Sequence, residues 1–419
     1  MKKSALIVFF AGLFTIFTIN FSPLAMAQGI GKEITVGLSL TYTGPLGGTA
    51  SSISDGFLDH LMWINNQGGI EYNEPGTGKS ERVKMKIKWE DNAYNSSKSL
   101  SIYKRFKAAG AMVVCSLGSP TGEAISASLS RDRVPGVGFY AGASPAGFRH
   151  EPNYYSTSSS TLTEEFCTSV KWFMSDWKGT RPPKIGGMSM DAPSWRPMGE
   201  PGGVKAYVEK AGGKWVGIEW VPMIVTDTSI QIKRLVSKGV DAIVVFGGIS
   251  HGIVIAKDMF RLGIDFKKVK VLYGTPTWDE RLIDLVPKEA EGIIVSSPYT
   301  FSWEDLPGVR LAKKVREWRG RSGEMGSYLR GFVFGYGLKA ALKSALEKVG
   351  YEKITPTDIR DALFSLKDLD AGGLMYKINV REPDYPQYCS HTRFAIVEGG
   401  RFKIISDWVE MEKVEYGRR

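Results

Sequence analysis

The stretch that decides the fold is Glu33–Thr49, EITVGLSLTYTGPLGGT. Apolar residues occupy every second position from Ile34 to Leu40, which predicts a strand of about seven residues. The chain then breaks at glycine and proline in Thr43–Gly48, and a helical apolar pattern follows over Ser54–Asn65. Strand, glycine-rich loop and helix open a βαβ unit, and ligands of such sheets bind at the carboxyl ends of the strands. We therefore expect an α/β protein that binds a small molecule at these loops.

The alternation of strand and helix continues through two blocks of the chain. The first block runs as βαβαβαβ over about 110 residues from Glu33, an order that indicates a parallel, doubly wound sheet. The same alternation starts again at Leu162, and the join is expected at Asn153–Ser160, a polar stretch without helix or buried-strand character. A small-residue-rich, closely packed helix is predicted over Tyr328–Glu347, and a β-hairpin over Phe394–Val409. Two doubly wound parallel-sheet lobes are the predicted fold class.

Length and composition indicate an exported globular protein of two domains. A chain of 419 residues is longer than a single hydrophobic core usually accommodates, and its 43% apolar and 23% charged content is that of a globular protein.

Residues 1–27 are typical of a secretory signal peptide, with a basic start, the apolar run Ala5–Ile19 and a cleavage site before Gln28. A membrane anchor is the alternative, but the run is short for a span. Removing Lys2 and Lys3 lowers the net charge from +10 to +8, and the scattered positive residues argue against nucleic-acid binding.

One motif resembles that of a serine hydrolase. Gly248-Ile249-Ser250-His251-Gly252 matches G-x-S-x-G between a predicted strand and a predicted helix. His391 is the only later histidine available as a base, and no HGGG-like loop precedes the motif. Glycines in a tight strand-to-helix loop are also required by the backbone alone. A secreted hydrolase using Ser250 is therefore an alternative.

The sequence has no HExxH, no cysteine pair at zinc spacing and no GxGxxG after a strand, so we expect no metal and no cofactor.

Three loops that follow predicted strands share one chemistry of small residues, hydroxyls and free backbone amides. They are Leu117–Thr121, Tyr140–Ser144 and Gly274–Trp278. Helix N-termini after the first two would suit a carboxylate. Helix capping by Ser and Thr is the preferred explanation of any single loop, but several such loops at equivalent strand ends favour a binding site. Aromatic residues lie near them in the sequence, and ligand pockets are usually apolar with a few placed polar groups.

The order of several motifs resembles the branched-chain amino acid (leucine/isoleucine/valine) binding family of ABC transporters, which are type I periplasmic solute-binding proteins. The resemblance covers nearly all of the chain after the signal peptide. Its motifs are VGLSLTYTGPLGG (36–48), INNQGGI (64–70), WEDNAYN (89–95), SPTGEAISASLSRDRVPG (119–136), FYAGAS (139–144) and AEGIIVSSPY (290–299).

The resemblance implies two lobes joined by three hinge crossovers that close over a ligand. Lobe 1 would comprise residues 28–154 and 297–373, lobe 2 residues 155–296 and 374–412, with a tail at 413–419. By the same resemblance, the ligand carboxylate would be held by Ser119, Gly142, Ala143 and Ser144. Tyr42, Leu46 and Trp195 would line the side-chain pocket, and Ser250 and the loop Thr275–Trp278 would close from the second lobe.

The sequence departs from the family in the second lobe. Amino-acid binders of this family usually have a carboxylate in the loop that matches Gly274–Trp278, where it pairs with the ligand ammonium. Here that loop holds Thr275, Pro276 and Thr277, and Ile249 replaces a usual aromatic residue. An unpaired buried ammonium is costly, and the only substitutes considered are Asp191 and Asp279. A carboxylate ligand without the amine therefore competes with an amino acid.

The predicted function is that of a periplasmic substrate-binding component of an ABC importer, and not that of an enzyme. It would capture a small amino acid or a related organic carboxylate, aromatic ones included, and deliver it to a membrane permease as a monomer. A sensor of the same fold for an amide or urea-like solute is the alternative within the fold.

Overall fold

A computed structural model describes residues 31–139, 150–380 and 387–414. The predicted signal peptide lies outside these residues. The strands are β1 Glu33–Leu40, β2 Ile70–Asn73, β3 Ser80–Asp91, β4 Val113–Leu117, β5 Gly136–Phe139, β6 Tyr155–Thr157, β7 Lys184–Met190, β8 Lys214–Val221, β9 Ala242–Phe246, β10 Lys270–Tyr273, β11 Ile294–Ser297, β12 His391–Glu398, β13 Arg401–Ile404 and β14 Val409–Glu410. The helices are α1 Gly47–Asn66, α2 Ser96–Ala108, α3 Ser119–Asp132, α4 Leu162–Ser175, α5 Ala206–Lys210, α6 Ser229–Ser237, α7 Ile249–Arg261, α8 Leu282–Leu285, α9 Pro307–Trp318, α10 Met325–Val349 and α11 Pro356–Phe364. Among the described residues, no helix combines the length and hydrophobicity needed to span a bilayer.

Six strands form the first sheet, in the order β2-β3-β1-β4-β5-β6. All neighbours are parallel except β2 and β3. The central strand β1 is buried on both faces from Val36 to Leu40, as expected of a parallel strand covered by helices. The carboxyl ends of β1, β3 and β4 therefore lie side by side at one edge of the sheet, and the loops that leave them meet there.

The second sheet has eight strands, with the main order β13-β12-β11-β10-β9-β7-β8 and β14 paired to β12. Strands β7 to β11 pair in parallel, whereas β12 runs antiparallel to β11 and turns at Gly399-Gly400 into β13. The predicted C-terminal hairpin is therefore confirmed, and so is the α/β fold with two doubly wound sheets. The carboxyl ends of β9 and β10 lead into the loops that begin at Gly247 and Gly274.

Helices α9, α10 and α11 share a hydrophobic core with the first sheet, although they follow the second sheet in the chain. The predicted close packing of α10 is explained by two glycines. A Cβ atom at Gly56 of α1 would lie 2.0 Å from the carbonyl oxygen of Tyr328, and one at Gly331 of α10 would lie 1.9 Å from that of Ile53. Only glycine permits the two helix backbones to approach this closely.

The expectation that Asn153–Ser160 lacks buried-strand character is wrong, because this stretch contains the buried strand β6. Its polar composition concealed the strand, since the hydroxyl groups are satisfied by the backbone of β5. Ser156 Oγ donates to the Gly136 carbonyl at 3.1 Å, and Ser158 Oγ donates to the Gly138 carbonyl at 2.9 Å. A hydroxyl that is hydrogen-bonded in this way is buried at little cost.

Candidate functional site

A small cavity of about 30 Å³ lies between the loops at the carboxyl edges of the two sheets. Its lining residues are Leu46, Thr49, Ala50, Ile53, Tyr94, Leu117, Gly118, Ser119, Leu162, Trp195 and Pro276. Leu162, Trp195 and Pro276 belong to elements of the second sheet, and the others to elements of the first. Because each water needs roughly 10–15 Å³ measured in this way, the two walls are nearly in contact. An amino acid or organic acid would enter only when the walls move apart.

Two polar residues of the WEDNAYN motif hold the loops of the first wall in place. Asp91 accepts hydrogen bonds from the backbone amides of Tyr42 and Ala93, at 2.9 and 3.0 Å. Asn92 is fully buried; its amide nitrogen donates to the Leu117 carbonyl at 3.1 Å and its oxygen accepts from Thr41 Oγ1 at 2.8 Å. The ends of β1, β3 and β4 are therefore tied together by two side chains.

Tyr94 is held in an unusual backbone conformation at the cavity. Its φ is +56° and that of Ala93 is +55°, a left-handed region that non-glycine residues enter rarely and at a cost. The Tyr94 amide donates to Asn92 Oδ1 at 2.8 Å. The tyrosine ring then lies against Gly118, where a Cβ atom would come within 2.9 Å of Tyr94 Cδ2. Asn92 and Gly118 together direct the phenol toward the cavity.

A cluster of neutral hydrogen-bonding groups bridges the two walls. Trp195 Nε1 donates to Ser119 Oγ at 3.3 Å, and Ser119 Oγ lies 3.1 Å from Ser194 Oγ. Burial raises the pKa of the Tyr94 phenol to about 12, while hydrogen bonds with Ser119 and Trp195 oppose that rise. The phenol is therefore protonated at neutral pH. Three donors, an indole N–H, a phenol and a serine hydroxyl, meet at one end of the cavity.

Three helices begin at the cavity. Leu46 precedes α1, and Ser119 is the first residue of α3. Gly248 precedes α7, and a Cβ atom on it would lie 3.1 Å from Leu46 Cδ2. None of the three helices has an acidic residue in its first turn. The free amides and partial positive charge of helix N-termini favour an anion, so the site is suited to a carboxylate.

A buried glutamate holds the loop that supplies Pro276. Glu165 Oε1 accepts from the Thr275 amide at 2.8 Å and from Ser296 Oγ at 2.6 Å. Burial raises the pKa of Glu165 to about 7, although the two hydrogen bonds oppose that shift. Glu165 thus connects the loop that contains Thr275 to the end of β11 through one backbone amide and one hydroxyl group.

Trp278 links this loop to helix α10. The indole donates to the Ser296 carbonyl at 2.9 Å and is 1% exposed. The Arg330 guanidinium lies 4.8 Å from the ring centroid of Trp278 and donates to its carbonyl oxygen at 3.1 Å. Since α10 packs with the first sheet, this contact joins the two halves of the protein behind the cavity.

The structure brings together some of the predicted site residues and separates others. Leu46, Ser119 and Trp195 line the cavity. The phenol of Tyr42 is instead directed to Asp55 Oδ1, at 3.0 Å. Ser250 is exposed near the start of α7. Thr275 and Trp278 are buried beside Pro276 without lining the cavity, and Gly142, Ala143 and Ser144 lie outside the described residues.

Sequence reasoning missed Tyr94 and Leu162 as cavity residues, and from the predicted loop Thr275–Trp278 it singled out Thr275 and Trp278 where Pro276 lines the cavity. Tyr94 lies in the motif WEDNAYN, which indicated the family but no ligand contact. Pro276 lies inside a loop that was predicted to close over the ligand. The two acids considered as ammonium partners are each paired with an arginine. Asp191 binds Arg196 at 2.7 Å and Asp279 binds Arg281 at 2.6 Å. Over the described ranges, no group of three or more His, Cys, Asp or Glu is arranged to hold a metal ion.

The geometry around Ser250 does not resemble a hydrolytic site. The His251 ring contacts the Gly248 amide through Nδ1 at 3.2 Å and the Pro222 carbonyl through Nε2 at 3.0 Å. His391 begins β12, which lies three strand positions from β9, where the loop to Ser250 starts. Three strand spacings amount to about 14 Å, too far for a histidine to take a proton from Ser250.

The fold matches that of known transport proteins. A family model described as periplasmic binding protein matches residues 33–387. An ABC transporter substrate-binding protein from Aeropyrum pernix is 18% identical, with a TM-score of 0.77 over 92% of this chain and 98% of that chain. A branched-chain amino acid ABC transporter from Thermus thermophilus with bound valine is 18% identical, with a TM-score of 0.75 over 91% and 97%.

A third solved structure holds a different ligand. It is a solute-binding protein of an ABC transporter from R. palustris in complex with 4-hydroxybenzoate, 18% identical, with a TM-score of 0.71 over 91% of this chain and 98% of that chain. No curated protein sequence matches this chain. At these identities the solved structures show the type I fold, while the family model spans most of the sequence. The chain therefore belongs to the periplasmic binding protein family.

Proposed function

We propose that the chain is the periplasmic substrate-binding component of an ABC importer, which captures a small amino acid or related organic carboxylate between its lobes. The observation that carries the proposal is the convergence of three helix N-termini, free of first-turn acids, on an apolar cavity with three neutral donors. Such a site binds an anion through fixed dipoles. Binding between the lobes stabilises their closed arrangement, which a membrane permease would recognise.

The cavity favours a carboxylate that lacks an α-ammonium group. Its lining, within the described part of the chain, includes no Asp, Glu, Lys or Arg. An ammonium group there would be desolvated without a counter-charge, at considerable cost. Valine and 4-hydroxybenzoate, the ligands of two proteins of this fold, share a carboxylate and differ in the amine. Aromatic and aliphatic carboxylates are therefore both included in the proposal.

We assign residues 28–157 with 297–373 to lobe 1, and residues 158–296 with 374–412 to lobe 2. The first crossover is placed after Thr157 instead of after Tyr154, because β6 pairs with β5. The carboxylate site includes Ser119, and Gly142, Ala143 and Ser144 remain its proposed partners. The exported protein acts as a monomer with a membrane permease. The neutral donors Tyr94 and Trp195 also support a second candidate, a sensor for an amide or urea-like solute.

A thermal-shift panel on the exported protein tests the proposal. It compares branched-chain and aromatic amino acids with the same acids lacking the amine, and with the corresponding amides. A ligand at about a hundred times its dissociation constant adds roughly 2.7 kcal/mol to the free energy of unfolding, which is readily measured. We expect the amine-free acids to raise the melting temperature most, and the amides to have less effect because they carry no charge.

The outcomes separate the candidates. Stabilisation by amino acids alone would show that an ammonium partner exists outside the described residues. Stabilisation by amides alone would favour the sensor. A panel in which no acid raises the melting temperature would contradict the carboxylate proposal.

A further inference from the structure

A second cavity lies in the second sheet at the edge opposite the first. Its volume is about 520 Å³, within the range of small-molecule sites. Its walls come from the end of α7, the segment that leads into β10, the segment that leads into β11, and the end of β12. It therefore lies at the amino ends of β10 and β11, whereas the first cavity lies at the carboxyl ends of the parallel strands.

One part of the inner surface of this cavity is apolar. Ile264, Phe266 and Ile396 line it and are only partly buried, and Phe260 at its margin is 56% exposed. Gly292 forms part of the wall with φ +90°, and a Cβ atom on it would lie 3.3 Å from Phe266 Cβ. Glycine thus keeps the wall thin. Phe260 thus adds exposed apolar surface beside the concave wall, which the hydrocarbon part of a ligand would cover.

The acidic groups of the cavity are already engaged. Asp265 Oδ1 accepts the Lys267 amide at 2.9 Å. Glu291 accepts the backbone amides of Gly399 and Gly400 at 2.9 and 3.4 Å. Glu398 pairs with Lys403 at 2.9 Å. Among the described residues, Glu398 is thus paired with a cation, whereas Asp265 and Glu291 are held in place by neutral backbone amides.

The basic groups of the cavity are not engaged. The ammonium groups of Lys267, Lys270 and Lys288 make no hydrogen bond or ion pair within residues 31–139, 150–380 and 387–414. Lys267 and Lys288 are exposed, and Lys270 is half-buried at the start of β10. Within the described part of the chain, these three ammonium groups are therefore available to a ligand beside the apolar side chains, an arrangement complementary to an anion with a hydrocarbon part.

We propose that this cavity binds a free amphipathic carboxylate, with the hydrocarbon part on Phe260, Ile264 and Phe266 and the carboxylate at Lys270 and Lys288. The charges attract the head group, and removal of the apolar part from water supplies the rest of the affinity. This site is separate from the first cavity and does not depend on the function proposed for it.

Isothermal titration with decanoate, at concentrations below those at which it forms micelles, tests the proposal. We expect saturable binding by the exported protein, and binding about tenfold weaker in K270Q/K288Q, since the charge contacts of one half-buried and one exposed lysine together are worth about 1.4 kcal/mol. F260S should also weaken binding. The matched control is K84Q/K86Q, which removes two exposed lysines from β3 and should leave the affinity unchanged.

Three results would overturn the proposal. One is the absence of saturable binding at millimolar decanoate. Another is equal affinity of wild type and K270Q/K288Q, which would place decanoate in the first cavity or elsewhere. The last is equally tight binding of decanol, or binding only to phosphatidylglycerol vesicles, because either would show that a free carboxylate is not what the lysines recognise. Thermal unfolding of each variant verifies that it is folded.

Discussion

Glu123 is a buried acidic residue near the first cavity whose charge is expected to change with pH. It lies one helical turn after Ser119 on α3, and its Oε1 is buried without a hydrogen-bond partner among the described residues. Helical side chains lean toward the N-terminus of their helix, so the carboxyl group points toward the cavity end of α3. Burial raises its pKa to about 8. The protonated form therefore places no negative charge near the N-terminus of α3.

We expect Glu123→Gln to stabilise the protein at pH 8 and not at pH 4.5. The folded-state pKa of about 8 exceeds the ordinary value of 4.5, so the folded chain binds this proton more tightly than the unfolded chain. The contribution of Glu123 to stability is complete below pH 4.5 and is lost as the pH rises to 8. The neutral glutamine avoids this loss. Urea denaturation should show a gain on the order of 2 kcal/mol at pH 8.

Glu352→Gln is the control, because Glu352 is exposed and its charge should matter little at either pH. If E123Q loses stability between pH 4.5 and pH 8 as steeply as wild type, the buried carboxyl group is not the cause of that loss.

At the scale of elements, the contact of α10 with α1 depends on which glycine faces the partner helix. Gly331 and Gly337 both lie inside α10. A Cβ atom at Gly331 meets the Ile53 carbonyl at 1.9 Å, whereas one at Gly337 meets only side-chain carbons, at 3.8 Å. The helix therefore contains one glycine that packing requires and another that packing tolerates.

We expect Gly331→Ala to reduce the free energy of unfolding by about 3 kcal/mol or more, because the backbones of α1 and α10 must separate. Gly337→Ala should be neutral or stabilising by up to about 1 kcal/mol, since alanine favours the helix. Chemical denaturation of both variants measures the difference. Equal effects of the two substitutions would show that helix propensity, and not the close approach, governs this position.

At the scale of the whole molecule, loops that belong to different sheets contact each other at the first cavity. Gly248, at the start of α7, lies close to the side chain of Leu46, the residue that precedes α1. The Arg281 guanidinium donates to the Gly48 carbonyl at 3.4 Å. Gly248 has φ −87° and ψ 174°, which valine adopts without strain. The two atoms nearest to a Cβ atom here are Leu46 Cδ2 at 3.1 Å and Thr49 Oγ1 at 3.7 Å, so a larger side chain would obstruct the approach of the two walls.

We expect Gly248→Val to weaken binding of the acid that stabilises the wild type by tenfold or more, with the melting temperature of the ligand-free protein within about 2 °C of wild type. The added methyl groups would overlap Leu46 when the walls close. Titration calorimetry measures the affinity, and small-angle scattering measures whether ligand reduces the radius of gyration. Gly76→Val is the control, since no atom lies within 4 Å of a Cβ atom there. Unchanged affinity in G248V would exclude this contact from the bound state.

The sequence by itself determined the architecture. The alternation from Ile34 to Leu40, the glycines after it and the repeated strand–helix order predicted two doubly wound sheets, because periodicity and turn chemistry are local properties of the chain. The same reasoning failed at Ser156 and Ser158, whose hydroxyl groups are buried against the neighbouring strand. A polar residue satisfied by a strand distant in sequence leaves no local signal.

The composition of the site was decided only by the tertiary structure. Ser119 and Trp195 were named as site residues by resemblance, but their hydrogen bond at 3.3 Å joins positions 76 residues apart. Tyr94 reaches the cavity because Asn92 bonds to both its amide and the Leu117 carbonyl, whereas Tyr42 turns to Asp55. Such choices depend on which partners the two sheets bring within hydrogen-bonding distance. A pattern within one segment can place a side chain at the end of a strand, but its partner there is supplied by the rest of the fold.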